Sequence, residues 1–475
     1  MIQYIFFLTP RSAFGKNIMF SKKKNIVILA AGKSTRMCSK IPKIFHNIGG
    51  KLILQHVVDT VLSLKRISSI YLVCNDQKEV LKKISFQNKI KIVLQKHQLG
   101  TGYALRKVIN RFNDKSDVIV LYGDVPLISR ETIEKLILSR SDNAISLLTA
   151  NLKDPIGYGR IIRKNKEVIK IVEESEILFD EKDIKEVYSG MFVSNAYCLK
   201  KWLHAIHNQN SKKEYYLTDI VSLARKEGYK INTIHPKNSF EIQGINDPFQ
   251  LMKVERFYQK YQAKKLLLSG LMISNISRFD LRGKIEYGKD VYIDNDVSII
   301  GKVILGNDVR VGIGCILKNC KILDNSSVLP YSIIESSVIS KNCVIGPFAH
   351  LRDGVILKER SKIGNFVEIK NTVFGSNSKA RHLSYLGDSE IGSQVNIGAG
   401  VITCNYDGKK KFQTRIEDNV FVGSDCQLIA PITIQKNSTI GAGTTLTDDV
   451  KENELVTSRI QQKHIKNWRK NLDKQ

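Results

Sequence analysis

From Ile285 onward the chain repeats every six residues, and no other feature restricts its fold as strongly. The hexads read IEYGKD, VYIDND, VSIIGK, VILGND, VRVGIG and CILKNC, pairing a first residue with an apolar one two places on: Val291/Ile293, Val297/Ile299, Val303/Leu305, Val309/Val311. Two inward side chains with one outward between them make a very short strand, and the Gly, Asn or Asp that follows makes the turn. After a frame slip near Ile333 a second run begins at Cys343 (CVIGPF, AHLRDG, VILKER, SKIGNF, VEIKNT), and a third at Val420 (VFVGSD, CQLIAP, ITIQKN, STIGAG, TTLTDD). Repetition this sustained predicts a parallel β-helix, although the period alone fixes neither handedness nor oligomeric state. Between the second and third runs the frame dissolves into SKARHLSYLGDSEIGSQVNIGAGVITCNYDGKKKFQTR, a polar interruption read as a functional loop.

Residues 25–247 obey a different rule. Short apolar strands (Asn25–Leu29, Ile70–Val73, Lys91–Gln95, Val118–Leu121, Ala144–Leu148) alternate with amphipathic stretches such as Ile53–Leu64 and Thr132–Leu138. That alternation predicts an α/β, Rossmann-like domain: a largely parallel sheet covered by helices. Ligands of such sheets sit at the carboxyl ends of the strands, where Gly32 and Asp124 fall. Pro248 to Ser269 shows helical spacing and is read as a linking helix.

Composition narrows the function. A hydrophobic share of 42% and a charged share of 25% describe a soluble globular chain, and no window is apolar enough to span a membrane. The opening MIQYIFFLT lacks the flanks of a signal peptide; residues 1–21 are read as an extension, with Met19 a second possible start. The net charge of +28 raises nucleic-acid binding, but the lysines are spread along the chain without a basic arm or zinc-finger spacing. Anionic small substrates are the preferred reading, with no nucleic-acid or membrane partner. Eight cysteines without a CxxC fit reduced thiols in a cytoplasmic protein.

Phosphate binding needs convergent backbone N–H groups, small residues and a cation. LAAGKSTRM (29–37) followed by Ile41-Pro42-Lys43 supplies all three. Asp124, straight after an apolar strand and with Gly123 giving access, is placed for a hard cation. With VLQKHQLGTGYA (93–104), VLYGDVPLI (120–128), GYGRI (157–161), IVEE (171–174), EYYLTD (214–219) and GIND (244–247), the first half resembles sugar-phosphate nucleotidyltransferases. Specifically, it resembles the uridyltransferase half of the bacterial bifunctional N-acetylglucosamine-1-phosphate uridyltransferase / glucosamine-1-phosphate N-acetyltransferase family. The resemblance implies a UTP and UDP-sugar seat formed by Leu29, Ala30, Ala31, Gly32, Gln95, Gly100 and Gly123, with Arg36 and Lys43 acting on the phosphates. It further implies that Thr101, Tyr122, Gly159 and Glu173 contact the sugar and that Asp124 and Asn246 hold Mg²⁺. Two residues depart from the family pattern: Ser34 replaces a glycine and Tyr188 replaces a sugar-contacting Asn.

In the second half KARHLSYLGD resembles the same family's acetyltransferase motif, with Arg381 in place of a glycine and His350 where Arg is common. The resemblance implies that His382 is the general base for acetyl transfer from acetyl-CoA, work that suits an imidazole at neutral pH. It places Arg352, Lys370 and Lys411 on the phosphate of glucosamine-1-phosphate and Tyr385, Asn396, Asn405 and Tyr406 on its sugar. Ala399, Asn405, Tyr406, Ser424, Ala442 and Arg459 would accept acetyl-CoA.

The whole implies an extension (1–21), a uridyltransferase domain (22–248), a linker helix (249–269) and a left-handed β-helix acetyltransferase domain (270–475) that trimerises. Such an enzyme would make UDP-N-acetylglucosamine for peptidoglycan and lipopolysaccharide synthesis. The alternative is a single-activity nucleotidyltransferase with a regulatory β-helix, for which the His382 and Asn405-Tyr406 cluster would have no use.

Overall fold

The computed structural model describes residues 22–86 and 88–469, so the expected N-terminal extension lies outside the described residues. The chain divides into two compact units, residues 22–46 with Ile53–Asp247, and Asn47–Leu52 with 248–469.

In the first unit seven strands run in the order Lys230–Ile234, Ala144–Asn151, Glu186–Asn195, Asp117–Tyr122, Lys24–Ala30, Ser69–Cys74, Ile90–Leu94. Lys24–Ala30 is central and buried along nearly its whole length, which is why it reads as an unbroken apolar run. From it the chain moves outward through Ser69–Cys74 to Ile90–Leu94, then returns to pair Asp117–Tyr122 on the other side. The connection order therefore reverses between the ends of Lys24–Ala30 and Asp117–Tyr122, which opens a crevice there. Glu186–Asn195 runs antiparallel to both its neighbours. An antiparallel pair, Arg160–Lys164 with Glu167–Val172, joins its edge.

The second unit is a parallel β-helix of hexapeptide repeats, the architecture of left-handed hexapeptide domains. Ile293 stacks on Val311, Val311 on Val328, Val328 on Ile345 and Ile345 on Ile363, so one coil takes seventeen or eighteen residues. The inward pairs read from the sequence are the core: Val291, Ile293, Val297, Ile299, Val303, Leu305, Val309 and Val311 are all within 2% of full burial. Turns take left-handed backbone at Asp290, Asp296, Asp308, Asn325, Asn342 and Asn377, residue types that tolerate it.

Two expectations change. The frame slip near Ile333 is a shortening of the repeat to five residues, from Cys315 to Cys320 and from Ser332 to Ser337, with every one of these four side chains buried. The polar interruption is also much shorter than the sequence suggests. Strands Lys379–His382, Tyr385–Gly387, Ser389–Ile391, Asn396–Ile397 and Ile402–Cys404 keep coiling, and only residues 405–413 leave the helix. The reason is that inward positions in these stretches are hydroxyls. Ser326, Ser337, Thr372, Ser378 and Ser384 each donate to a carbonyl of the next coil, at 2.9, 3.1, 3.2, 2.7 and 3.1 Å. A buried hydroxyl so satisfied costs little, yet it erases the apolar pattern.

The helix Pro248–Leu268 groups with the β-helix rather than standing apart as a linker. Gln259, almost fully buried, accepts from the Leu281 N–H at 2.8 Å and donates to the Leu281 carbonyl at 3.1 Å, so its amide occupies the edge of the first long strand. Ile369 is fully buried in the coil whereas Ile356 is 37% exposed on it. Ile369→Ala should cost about 2–5 kcal/mol in urea denaturation, and Ile356→Ala no more than about 0.5 kcal/mol.

Candidate functional site

The crevice of the first unit holds a cleft of about 790 Å³. Its floor is the strand end Leu29, Ala30 and Ala31, all nearly buried, while Gly32 is exposed with nothing near where a Cβ would stand. The chain then makes one turn of 3₁₀ helix, Thr35–Met37, which turns exposed Arg36 toward the cleft lining. Ser34 now has a reason. Its Oγ accepts the Lys43 N–H at 2.9 Å, tying the start of this loop to the start of the next turn, Lys43–Phe45. A glycine could not make that bond.

Lys43 reaches across to two oxygens. Its ammonium is paired with Asp124 Oδ2 and donates to Asn246 Oδ1 at 2.8 Å, with Lys43 and Asp124 side chains only 12% and 15% exposed. Asn246 is brought there by backbone: the Ile245 N–H donates to the Asp124 carbonyl at 3.0 Å. Gly123 is required by close approach, since a Cβ would lie 2.8 Å from that of Ala30. The carboxylate and the amide oxygen thus converge on one cation, a hard-oxygen pair of the kind that suits Mg²⁺. Among the described residues no group of three or more His, Cys, Asp or Glu side chains gathers to hold a metal, here or elsewhere.

The other predicted residues line the same cleft. Gln95 is nearly buried at the end of its strand, its N–H donating to the Cys74 carbonyl at 2.8 Å. Gly100 has φ +101°, and a Cβ would press on the Tyr215 backbone at 2.7 Å. Thr101 Oγ1 accepts the Leu217 N–H at 3.3 Å and also bonds the Tyr122 hydroxyl. Burial, then the Glu173 carboxylate, holds the Tyr122 phenol well above its ordinary range, so it remains a donor. Burial also raises Glu173, against the opposing bond from Thr218 Oγ1 at 2.9 Å and the charge of Lys212. Gly159 leaves room beside Glu173, whose Oε2 would lie 3.9 Å from an added Cβ.

Tyr188 is not a vacant substitute for an amide. It is 7% exposed, packed with the core, and its hydroxyl donates to the Gly190 carbonyl at 2.8 Å. Gly190 at φ +88° leaves space for the Tyr122 ring, 2.6 Å from where a Cβ would lie. Two aromatic rings therefore shape this wall. Sequence reading flagged the replacement but not its partner, which a strand bulge between Tyr188 and Phe192 creates.

In the second unit the candidates form two groups. Arg352 and Lys370 follow registered strand residues (Leu351 on Ile369), and Lys370 stacks on Gly387. The loop that leaves the coil folds back on itself, Phe412 N–H donating to the Asn405 carbonyl at 2.9 Å, and returns Lys411 to Lys370. The adjacent Lys411 ammonium, and then Arg352, hold Lys370 below the usual lysine range. Asn405 donates to Asp388 at 2.6 Å, and a Cβ on Gly387 would collide with the Tyr385 hydroxyl and the Asn405 amide. Three cations, a phenol and an amide are thus assembled; Tyr406 is 61% exposed with its hydroxyl on the Gly408 carbonyl at 2.7 Å.

His382 belongs to the second group. It stacks on Asn365, and the coils above it stack Ala380 on Ile397, Ile397 on Val422 and Val422 on Ile440. Two residues beyond each of these come His382, Ala399, Ser424 and Ala442, one column along a single corner, with exposed Arg459 one residue past its continuation at Ser458. The His382 ring is exposed and makes no hydrogen bond among the described residues. Asn396 lies on the same face, stacked on Lys379, rather than with the three cations. His350, where an arginine was expected, lies 3.4 Å from Glu335.

Residues 26–166 match the family described as MobA-like NTP transferase domain. Residues 281–373 match the GMPPB C-terminal domain, and 413–448 the bacterial transferase hexapeptide, six repeats. The first unit carries a nucleotidyltransferase domain. A hexapeptide-repeat region of transferase type follows it. Among solved structures the chain is similar to a nucleotidyl transferase from Methanothermobacter thermautotroptrophicus, at 15% identity and TM-score 0.38, over 50% of this chain and 99% of that one. It is also similar to CMP:2-keto-3-deoxy-manno-octonic acid synthetase complexed with CTP, at 20% identity and TM-score 0.39, over 52% of this chain and all of that one. No helix among the described residues is long and apolar enough to cross a membrane.

Ser34→Gly should raise the nucleotide KM of this domain by about tenfold, one lost hydrogen bond of ~1 kcal/mol plus a looser Lys43. Ser34→Thr should restore most of it; steady-state nucleotide turnover measures both.

Proposed function

We propose that the chain makes UDP-N-acetylglucosamine in two steps, acetyl transfer from acetyl-CoA to glucosamine-1-phosphate and uridylyl transfer from UTP to the resulting N-acetylglucosamine-1-phosphate. The convergence of Lys43, Asp124 and Asn246 at the crevice carries the uridylyl reading. The His382 column and the separate cluster of three cations on the same β-helix support the acetyl reading and disfavour a purely regulatory β-helix.

For uridylyl transfer, Leu29 to Gly32 let the triphosphate approach the backbone, and Gln95 and Gly100 bound the base. The sugar phosphate lies against Tyr122, Thr101, Gly159 and Glu173, its phosphate oxygen in line with the α-phosphorus of UTP. Phosphoryl-group transfer asks the protein mainly for position and charge. Arg36 and Lys43 face the charge that grows on departing pyrophosphate. Asp124 and Asn246 would hold Mg²⁺, which supplies charge neutralisation on the phosphates.

For acetyl transfer, His382 takes the proton from the glucosamine amine as that nitrogen attacks the thioester carbonyl, and the thiolate of coenzyme A leaves. Arg352, Lys370 and Lys411 hold the sugar phosphate, with Tyr385, Asn396, Asn405 and Tyr406 on the sugar. Ala399, Ser424 and Ala442 are small enough to let the coenzyme lie along the corner toward Arg459. A homotrimer, in which neighbouring copies complete this site, is part of the proposal and is read by light scattering.

His382→Ala should lower acetyl transfer by about 10²–10⁴ and leave uridylyl transfer intact. Arg36→Ala should do the reverse. Loss of both activities from either folded variant would defeat the two-site reading. Glu173 as an ionised acceptor also predicts a pH effect. Its pKa is raised, so the KM for sugar phosphate should climb as pH falls while still above the ordinary carboxylate range. Glu173→Gln should flatten that profile.

A further inference from the structure

Lys362, Lys379 and Arg381, neighbours on the β-helix, have no partner among the described residues. They project from two adjacent coils, and none makes an ion pair or side-chain hydrogen bond among those residues. With Arg360, Asn342 and Asn377 they line a cavity of about 530 Å³. Lys362 and Lys379 are directly registered, about 4.8 Å apart as neighbouring strands are. Like charges so placed destabilise the pairing. One carboxylate stands beside the cavity, and Glu359 is already engaged, accepting from Asn342 at 3.2 Å and lying 3.7 Å from Arg360. Gly364 keeps the floor below Arg381 bare, because a Cβ there would collide with the Arg381 carbonyl.

The basic strip is also short. In the Lys362 row the coil before carries Val344 and the coil after Lys379 carries Asn396. A nucleic-acid track would need cations continued along the face. Two guanidinium forks and two ammonium groups confined to two coils instead match a compact ligand with several acceptor oxygens.

We propose that this cavity binds a small anion carrying two neighbouring phosphate groups. Two sources share that chemistry: free pyrophosphate, and the diphosphate of a coenzyme A molecule held here, apart from the corner that runs from His382 toward Arg459. The site itself does not depend on the reactions proposed above; only the choice between its sources draws on them.

Calorimetric titration of the full chain with pyrophosphate at low ionic strength should show two classes of site. Lys362→Glu combined with Arg381→Gly should weaken one class by at least about tenfold, since charge-assisted bonds are lost. Arg36→Ala should spare that class and weaken the other. Lys379→Met, which keeps the aliphatic stem, gives the same result should the charge reversal unfold the protein. Coenzyme A that displaces pyrophosphate from this class identifies the acyl donor as the source, and failure to displace it identifies the free anion. An isotherm unchanged by the cavity variants overturns the proposal. So does an equal loss in Lys321→Glu, on another face, or occupancy by RNA alone.

Discussion

The inward side chains of the β-helix stack coil on coil, seventeen or eighteen residues apart through most of its length and twenty-five where residues 405–413 leave it, and this constraint governs the second unit. A short strand cannot stand alone; it is stable only when its inward pair packs on the pair of the next coil and its backbone bonds are shared with it. Register then becomes position. His382, Ala399, Ser424 and Ala442 form a column only because Ala380, Ile397, Val422 and Ile440 are stacked. The same constraint sets Lys362 against Lys379.

The first unit depends on a different but equally local arrangement. The reversal of strand order beside Lys24–Ala30 leaves two strand ends facing one crevice. Into it the loop after each strand delivers one polar set, Ser34 to Lys43 from one side and Asp124 from the other, where the segment carrying Asn246 joins it through the Ile245 N–H. The Lys43 ammonium joins them, compensating a partly buried carboxylate that would be costly alone. Ser34 limits where that ammonium can go, because it holds the Lys43 backbone.

Tyr188 and Ser34 show how a departure from a familiar pattern can carry information. Both looked like losses in the sequence, of a glycine and of an amide. In the fold each has a partner, the Lys43 N–H for one and the Gly190 carbonyl for the other. Tyr188 spends its hydroxyl on the protein, so the wall it builds offers a ring face rather than an amide.

The amino-acid sequence by itself determined the two architectures, because period six and the strand–helix alternation are properties of local chain geometry. It also marked the loop after Leu29, Asp124 and the His382 neighbourhood as candidates, since these lie in short contiguous motifs. Coil boundaries between Cys315 and Cys343 and after Ser378 escaped it, as hydroxyls inside the helix look polar until their carbonyl partners in the next coil are known. Only the tertiary structure decided that Lys411 returns to Lys370, that Asn246 meets Asp124, and that Lys362, Lys379 and Arg381 share one cavity. Each of these joins residues far apart in the chain, through register and loop closure that no local pattern encodes.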